Sequence, residues 1–219
     1  MTPTLRIDVY FDLICPWCLI GKRHLNQALA QLVQRVPGVQ VNVAWHSVQL
    51  IPEVPAEGLD FAEFYLHRLG SADAVRARQA QVREAAHRAG AVVDFARILR
   101  FPNTRQAHQL FSFAASHLAP LETEQLLERL FEAYFNLGED LSERATLKAI
   151  AAQHGLDTPE LDAWMACEQW QPVNIQVPGV PFFVFNQSKQ LSGAQPVEVL
   201  LAAMLQSIGN ASEPLSRAA

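Results

Sequence analysis

The sequence predicts an α/β fold interrupted by a long all-helical insertion, and three observations carry that reading. Residues 5 to 11 alternate Leu5, Ile7, Val9 and Phe11 with Arg6, Asp8 and Tyr10, the two-residue period of a half-buried strand. Directly after it an amphipathic helix opens at Cys15-Pro-Trp-Cys18, and a second alternating strand follows. Strand character then vanishes for about a hundred residues of helical periodicity and returns only at Pro181. The predicted order is β-α-β, a helical block, then β-β-α.

The first helix is read from Leu19, Leu25, Leu29, Leu32 and Val33 at helical spacing, with Lys22, Arg23, Asn26, Gln27, Gln31 and Gln34 between them. It ends near Arg35, before Pro37-Gly38. Val39, Val41, Val43 and Trp45 alternate with Gln40, Asn42 and Ala44, and so short a return makes a βαβ unit with parallel strands and a right-handed crossover. Pro52, Pro55 and Gly58 mark a loop over residues 48 to 60. Helices are predicted near Phe61 to Leu69, Ala72 to Ala89, Thr104 to Leu118, Glu122 to Asn136, Glu143 to His154 and Pro159 to Cys167, with no strand among them. Ser142 and Thr158 are expected to cap two of these helices, and Gly138 and Gly155 to stop two. Pro181-Phe-Phe-Val-Phe185, a turn at Asn186 to Lys189 and Gln190-Leu-Ser192 read as a hairpin. A last helix from about Pro196 to Ile208 precedes a polar tail, Gly209 to Ala219, that is expected to fray.

The outer parts therefore form one discontinuous α/β domain, residues 1–54 and 170–219, and residues 55–169 a helical domain inserted into it. A chain of 219 residues, half of them hydrophobic, is ample for a real core. Its 17 Lys and Arg against 22 Asp and Glu leave a net charge of −5 without any long block of one sign. Nucleic acid and membrane surfaces are therefore not implied as partners. Met1-Thr-Pro-Thr leads straight into the first strand without a signal-peptide pattern, so a cytoplasmic location is expected. There a Cys-x-x-Cys pair is more often catalytic than structural.

Pro16 suits the first helical turn, which places Cys15 at the helix's N-terminal edge. Free backbone N–H groups and the positive end of the helix dipole favour a thiolate there, below the free cysteine pKa of about 8.5. Cys15 is thus the expected nucleophile, and Cys18, one turn deeper, the resolving sulfur. A zinc site would need further ligands, but the remaining cysteine is Cys167 and the seven histidines include no H-x3-5-H pair. Neither a metal nor an organic cofactor is required.

This order of elements, with Cys15-Pro-Trp-Cys18 at the first helix, resembles a thioredoxin-like fold with a helical insertion, as in DsbA-like thiol–disulfide oxidoreductases. The FrnE-like cytoplasmic branch is the nearer likeness. It is carried by Phe11-Asp-Leu-Ile-Cys-Pro-Trp-Cys18, by Arg100-Phe-Pro-Asn-Thr-Arg-Gln-Ala-His108, and by Val180-Pro181-Phe-Phe-Val with Ser192-Gly-Ala-Gln-Pro196. The resemblance implies a cis peptide before Pro181, packed against the disulfide and presenting the Val180 backbone to an extended substrate. It also implies substrate contact by Pro16 and Trp17 beside the sulfurs and by Asn103 and Thr104 on an overhanging helix. On the residues alone, Asn103-Thr104 reads first as a helix cap, His108 as an ordinary histidine, Trp17 equally as a packed indole, and Cys167 as a buried inert thiol. The implied partners are disulfide- or dithiol-containing proteins or small molecules, glutathione among them, and the oligomeric state is left open.

The chain departs from the pattern in two places. Many thioredoxin-like proteins carry a buried acid six residues before the first cysteine, where this chain has Val9. Asp12 and Asp8 are the alternative proton acceptors, though both read first as exposed carboxylates. Two other functions share the architecture: glutathione-dependent isomerases or kappa-class transferases, which typically put serine at the position of Cys15, and a non-catalytic binding module or chaperone. Trp17 stands where strongly oxidising DsbA-like enzymes place a histidine, so the Cys15 thiolate lacks one stabilising neighbour. The expected equilibrium potential therefore lies clearly below the DsbA value of about −120 mV, and a measured value near it overturns that reading.

Overall fold

A computed structural model describes residues 2–167, 169–172 and 177–210. The N-terminal alternation becomes strand β1, Thr4–Phe11, and the amphipathic stretch becomes helix α1, Pro16–Arg35. Strand β2, Gln40–Ser47, returns parallel to β1, with Val9 opposite Trp45 and Tyr10 opposite His46.

The insertion holds all six expected helices: α2 (Phe61–Leu69), α3 (Ala72–Arg88), α4 (Arg105–His117), α5 (Pro120–Glu132), α6 (Arg144–Gln153) and α7 (Pro159–Met165). Three features depart from expectation. A strand pair does occur there, since β3 (Leu59–Asp60) and β4 (Arg100–Phe101) run antiparallel. Two residues are too few to show a period, and the pair is set by tertiary contact across the insertion. The fourth predicted helix ends in a π turn, Ala133–Leu137, which buries both Tyr134 and Phe135 and leaves the Phe135 carbonyl to accept from Asp94 N–H at 2.7 Å. Gly138 closes it at φ +70°, where a Cβ would lie 2.2 Å from the Arg97 carbonyl oxygen. Ser142 does not cap α6; its hydroxyl bonds Asp140 at 2.5 Å, whereas Thr158 does cap α7 by accepting from Leu161 N–H.

The chain then returns to the sheet through β5 (Phe182–Phe185) and β6 (Lys189–Ser192) and ends in α8 (Val197–Asn210). The strand order is β2-β1-β5-β6, with β5 antiparallel to both of its neighbours. The expected frayed tail, apart from its first two residues, lies outside the described residues.

Two apolar clusters follow from this topology. Leu5, Ile7, Val9, Phe183 and Phe185 face Leu25, Ala28 and Leu32 of α1 and Leu200, Leu201 and Met204 of α8. Phe11, Cys15, Cys18 and Leu19 join the insertion's core, among them Phe111, Leu127 and Phe131. Helix α1 thus has its C-terminal half in the sheet's core and its first turn in the insertion's core. A buried amine fixes that arrangement: Lys22, 2% exposed, reaches Glu124 at 3.1 Å and Glu128 at 2.9 Å on α5.

Asp8, expected to be exposed, is 5% exposed, because Arg6 and His46 close over it. The Arg6 guanidinium bonds both carboxylate oxygens and His46 Nε2 lies 2.7 Å from Oδ1. The Arg6 hydrogen bonds hold its carboxyl below the ordinary value of 3.8, with His46 adding to the effect against the cost of burial. A depressed folded-state pKa contributes stability above the unfolded value that disappears as pH falls through the folded one. Asp8→Asn should therefore cost roughly 1–2 kcal/mol at neutral pH, with the gap to wild type closing as the pH is lowered below 3.8. Urea midpoints across that range check it, and a gap independent of pH contradicts it.

Candidate functional site

The site is built where β1 hands over to α1. Cys15 is the N-cap of α1 and Pro16 its first residue, so no backbone donor is lost to the proline. The Cys15 N–H donates to the Asp12 carbonyl at 3.2 Å and the Cys18 N–H to the Cys15 carbonyl at 2.9 Å, a tight turn that brings both side chains to one end of the helix.

The two sulfurs meet different surroundings. Cys15, with Pro16 and Trp17, lines a cleft of about 300 Å³ under α2 and α3. Cys18 is 1% exposed, does not reach the cleft, and lies within hydrogen-bonding reach of Cys15. Burial pushes the Cys18 thiol well up, and its hydrogen bond to Cys15 and the charge on that sulfur push it further. A backbone hydrogen bond from Asp12 opposes this in part, while the Asp12 carboxylate charge reinforces it.

Behind the sulfurs lies a buried polar pair. Asp12 and His108 are both 0% exposed, with His108 Nε2 3.0 Å from Asp12 Oδ1, and Leu50 N–H donates to Asp12 Oδ2 at 2.7 Å. Asp12 is therefore not the surface carboxylate the sequence suggested. A residue in the turn after a strand gives no periodic signal of burial. The His108 ring stands edge-on to Phe11, and its Nδ1 has no hydrogen-bond partner among the described residues.

On the other side of Cys15 comes the loop before β5. The Val180–Pro181 peptide is cis, and Cys15 Sγ donates to the Val180 carbonyl at 3.6 Å. Among the described residues the Val180 N–H makes no backbone hydrogen bond. Asn103 and Thr104 do not line the cleft. The Asn103 amide is held by Gln49, by the Val54 carbonyl and by Arg105 N–H, which is the expected capping role spread over a loop. Thr104 is 1% exposed with its hydroxyl unpartnered. Cys167 is half-buried rather than sealed, and its thiol donates to Gln169.

A model of the DSBA-like thioredoxin domain matches residues 6–205, nearly the whole chain. The chain belongs to the DSBA-like thioredoxin domain family. Its fold is accordingly thioredoxin-like with a helical insertion, and the family is one of thiol–disulfide oxidoreductases. This DSBA-like chain is similar to the solved "probable DsbA oxidoreductase SCO1869" of Streptomyces coelicolor, with a TM-score of 0.80 at 25% identity over 98% of this chain and 94% of that one. It is 25% identical to the "Uncharacterized protein YwbO" of Bacillus subtilis over 79% of this chain and 78% of that protein. The "Cytosolic disulfide reductase DsbM" of Pseudomonas aeruginosa shares its fold at 14% identity, with a TM-score of 0.57 over 94% of this chain and 99% of that one.

Sequence reasoning missed the walls of the cleft. Phe64, Tyr65, Arg68 and Arg78 line it from α2 and α3. Periodicity located those helices but could not say that they lean over Cys15. The Tyr65 phenol is pushed up to about 12, first by burial and then by the charge on Cys15, with Arg68 and Arg78 opposing.

Gly21 lets the loop before β5 approach the cysteine helix. A Cβ there would lie 2.9 Å from Pro181 Cγ and 3.2 Å from the Phe183 ring. In an exposed helix Gly→Ala gains about 1 kcal/mol. Here the overlap wins, and Gly21→Ala should lose about 1–3 kcal/mol, read from urea midpoints, as Pro181 is forced away from α1. A stabilised variant would contradict this packing.

Proposed function

We propose that this chain is a thiol–disulfide oxidoreductase of the FrnE-like cytoplasmic branch, with Cys15 as nucleophile and Cys18 as resolving thiol. The observation that carries the reading is the inequality of the two sulfurs: Cys15 borders an open cleft, and Cys18 sits sealed within bonding reach of it.

The Cys15 thiolate, at a helix start that favours negative charge, attacks one sulfur of a substrate disulfide. A bond forms between Cys15 Sγ and that sulfur, and the other sulfur leaves as a thiolate. Cys15 then carries no charge, so the two influences of Cys15 that hold the Cys18 proton in place disappear. Asp12, whose backbone bonds the Cys18 sulfur and whose carboxylate charge is felt there, is the acceptor of that proton in this reading. Cys18 attacks Cys15 Sγ and releases the second substrate thiolate. Two electrons pass from the dithiol to the substrate, and the reverse sequence oxidises a dithiol.

Val180 and Pro181 supply the backbone edge against which an extended substrate lies, and Pro16 and Trp17 the apolar contact beside the sulfur. Asn103 and Thr104 enter this reading as residues that shape the loop over the site. The discontinuous α/β domain and its inserted helical domain keep the boundaries read from the sequence. The chemistry needs no metal or organic cofactor. Partners are disulfide- or dithiol-bearing proteins or small molecules, glutathione included, and a cytoplasmic location fits a catalytic rather than structural Cys-x-x-Cys.

Disulfide reduction and dithiol oxidation, measured on wild type, Cys15→Ser and Cys18→Ser with thiol titration, test the reading. Cys15→Ser should fall to the rate of the uncatalysed exchange, and Cys18→Ser should accumulate mixed disulfides at Cys15. Equal activity in all three, or in the double variant, removes the dithiol mechanism and leaves a binding module.

A further inference from the structure

The cleft beside Cys15 has a lining with a definite chemical bias. Its walls are aromatic, with Trp17, Phe64, Tyr65 and Phe95 among them, and among the described residues its only charged side chains are Arg68 and Arg78. No Asp, Glu or Lys among the described residues lines it. Arg68 is set by its own helix, its guanidinium carbon 5.9 Å from the centre of the Phe64 ring one turn earlier. Among the described residues neither guanidinium forms an ion pair. Two other arginines of α3 are paired within the helix, Arg76 with Asp73 and Arg88 with Glu84. In a chain of net charge −5, two unpaired cations over an apolar cleft are a local feature and not a property of the whole surface.

Resting on the dithiol reading above, we propose that this cleft selects small disulfides with an aromatic body and a carboxylate, the ring seated among the aromatic walls and the carboxylate turned out to Arg68 and Arg78. A volume of about 300 Å³ suits one such group. Tyr65 adds a neutral donor, since its hydroxyl keeps its proton at physiological pH and has no hydrogen-bond partner among the described residues. The reaction balances as it stands. Cys15 takes one aryl sulfur as the substrate S–S bond breaks, and the first aryl thiolate leaves. Cys18 then displaces the second, so one enzyme dithiol yields one enzyme disulfide and two aryl thiols.

The test uses the reduced protein in stoichiometric reaction with dithiobis(nitrobenzoate), an aryl disulfide with two carboxylates, and with neutral dithiodipyridine. The ratio of the two rates is divided by the same ratio for dithiothreitol to remove intrinsic reactivity. Wild type should exceed unity by about tenfold, Arg68→Gln and Arg78→Gln should each lower the ratio about threefold, and the double variant should bring it near one. Added salt should lower the wild-type ratio and leave that of the double variant unmoved. A wild-type ratio near one, or a double variant that keeps the preference, overturns the substrate class while the dithiol mechanism stands. If neither reagent oxidises the cysteines faster in wild type than in Cys15→Ser, the dithiol mechanism itself falls.

Discussion

The carboxylate of Asp12 holds the centre of this molecule together. A carboxylate with no exposed surface is costly unless its oxygens are bonded, and here one oxygen takes the Leu50 N–H and the other the His108 ring. The same residue's carbonyl receives the Cys15 N–H. One side chain and its backbone thus tie the end of β1, the loop after β2 and the helix α4 to the turn that carries the sulfurs. Removing any of these partners would leave a buried oxygen without its hydrogen bond, so the three segments are coupled through it.

Around that point the cysteine helix is fixed from several sides. Lys22 anchors it to α5, His24 Nδ1 lies 2.9 Å from the Gln195 carbonyl, and Gly21 admits Pro181 against its backbone. These contacts fix which of two buried cysteines one turn apart borders the cleft, Cys15 rather than Cys18. The inserted helices do two jobs at once. They bury the first turn of α1, and they roof the cleft that gives Cys15 its access.

Much of this was legible in the chain. Strand alternation at Leu5 to Phe11 and at Val39 to Trp45, and the run of helices from Phe61 to Met165, are local patterns set by one-sided burial. The place of Cys15 at a helix start followed from Pro16 alone. The rest needed the third dimension. Asp8 and Asp12 look like surface acids because His46, which closes over the first beside the neighbouring Arg6, and Leu50 and His108, which hold the second, come from other segments. The β3–β4 pair is too short to have a period, and the π turn differs from α5 by a single extra residue. Arg68 and Arg78 could not be placed at the cleft from the sequence, because the line cannot tell which way a helix tilts over its neighbour.

The bond from Cys15 to Val180 joins residues 165 positions apart. At about 5–20 residues per second, a growing chain exposes the cysteine turn roughly ten to thirty seconds before that carbonyl is even synthesised. During this interval the sulfurs lack the loop that flanks them, whereas α2 and α3, which roof the cleft, are made early in it. The contact with Val180 is therefore among the last the cysteine turn acquires, and until it forms that side of Cys15 is open.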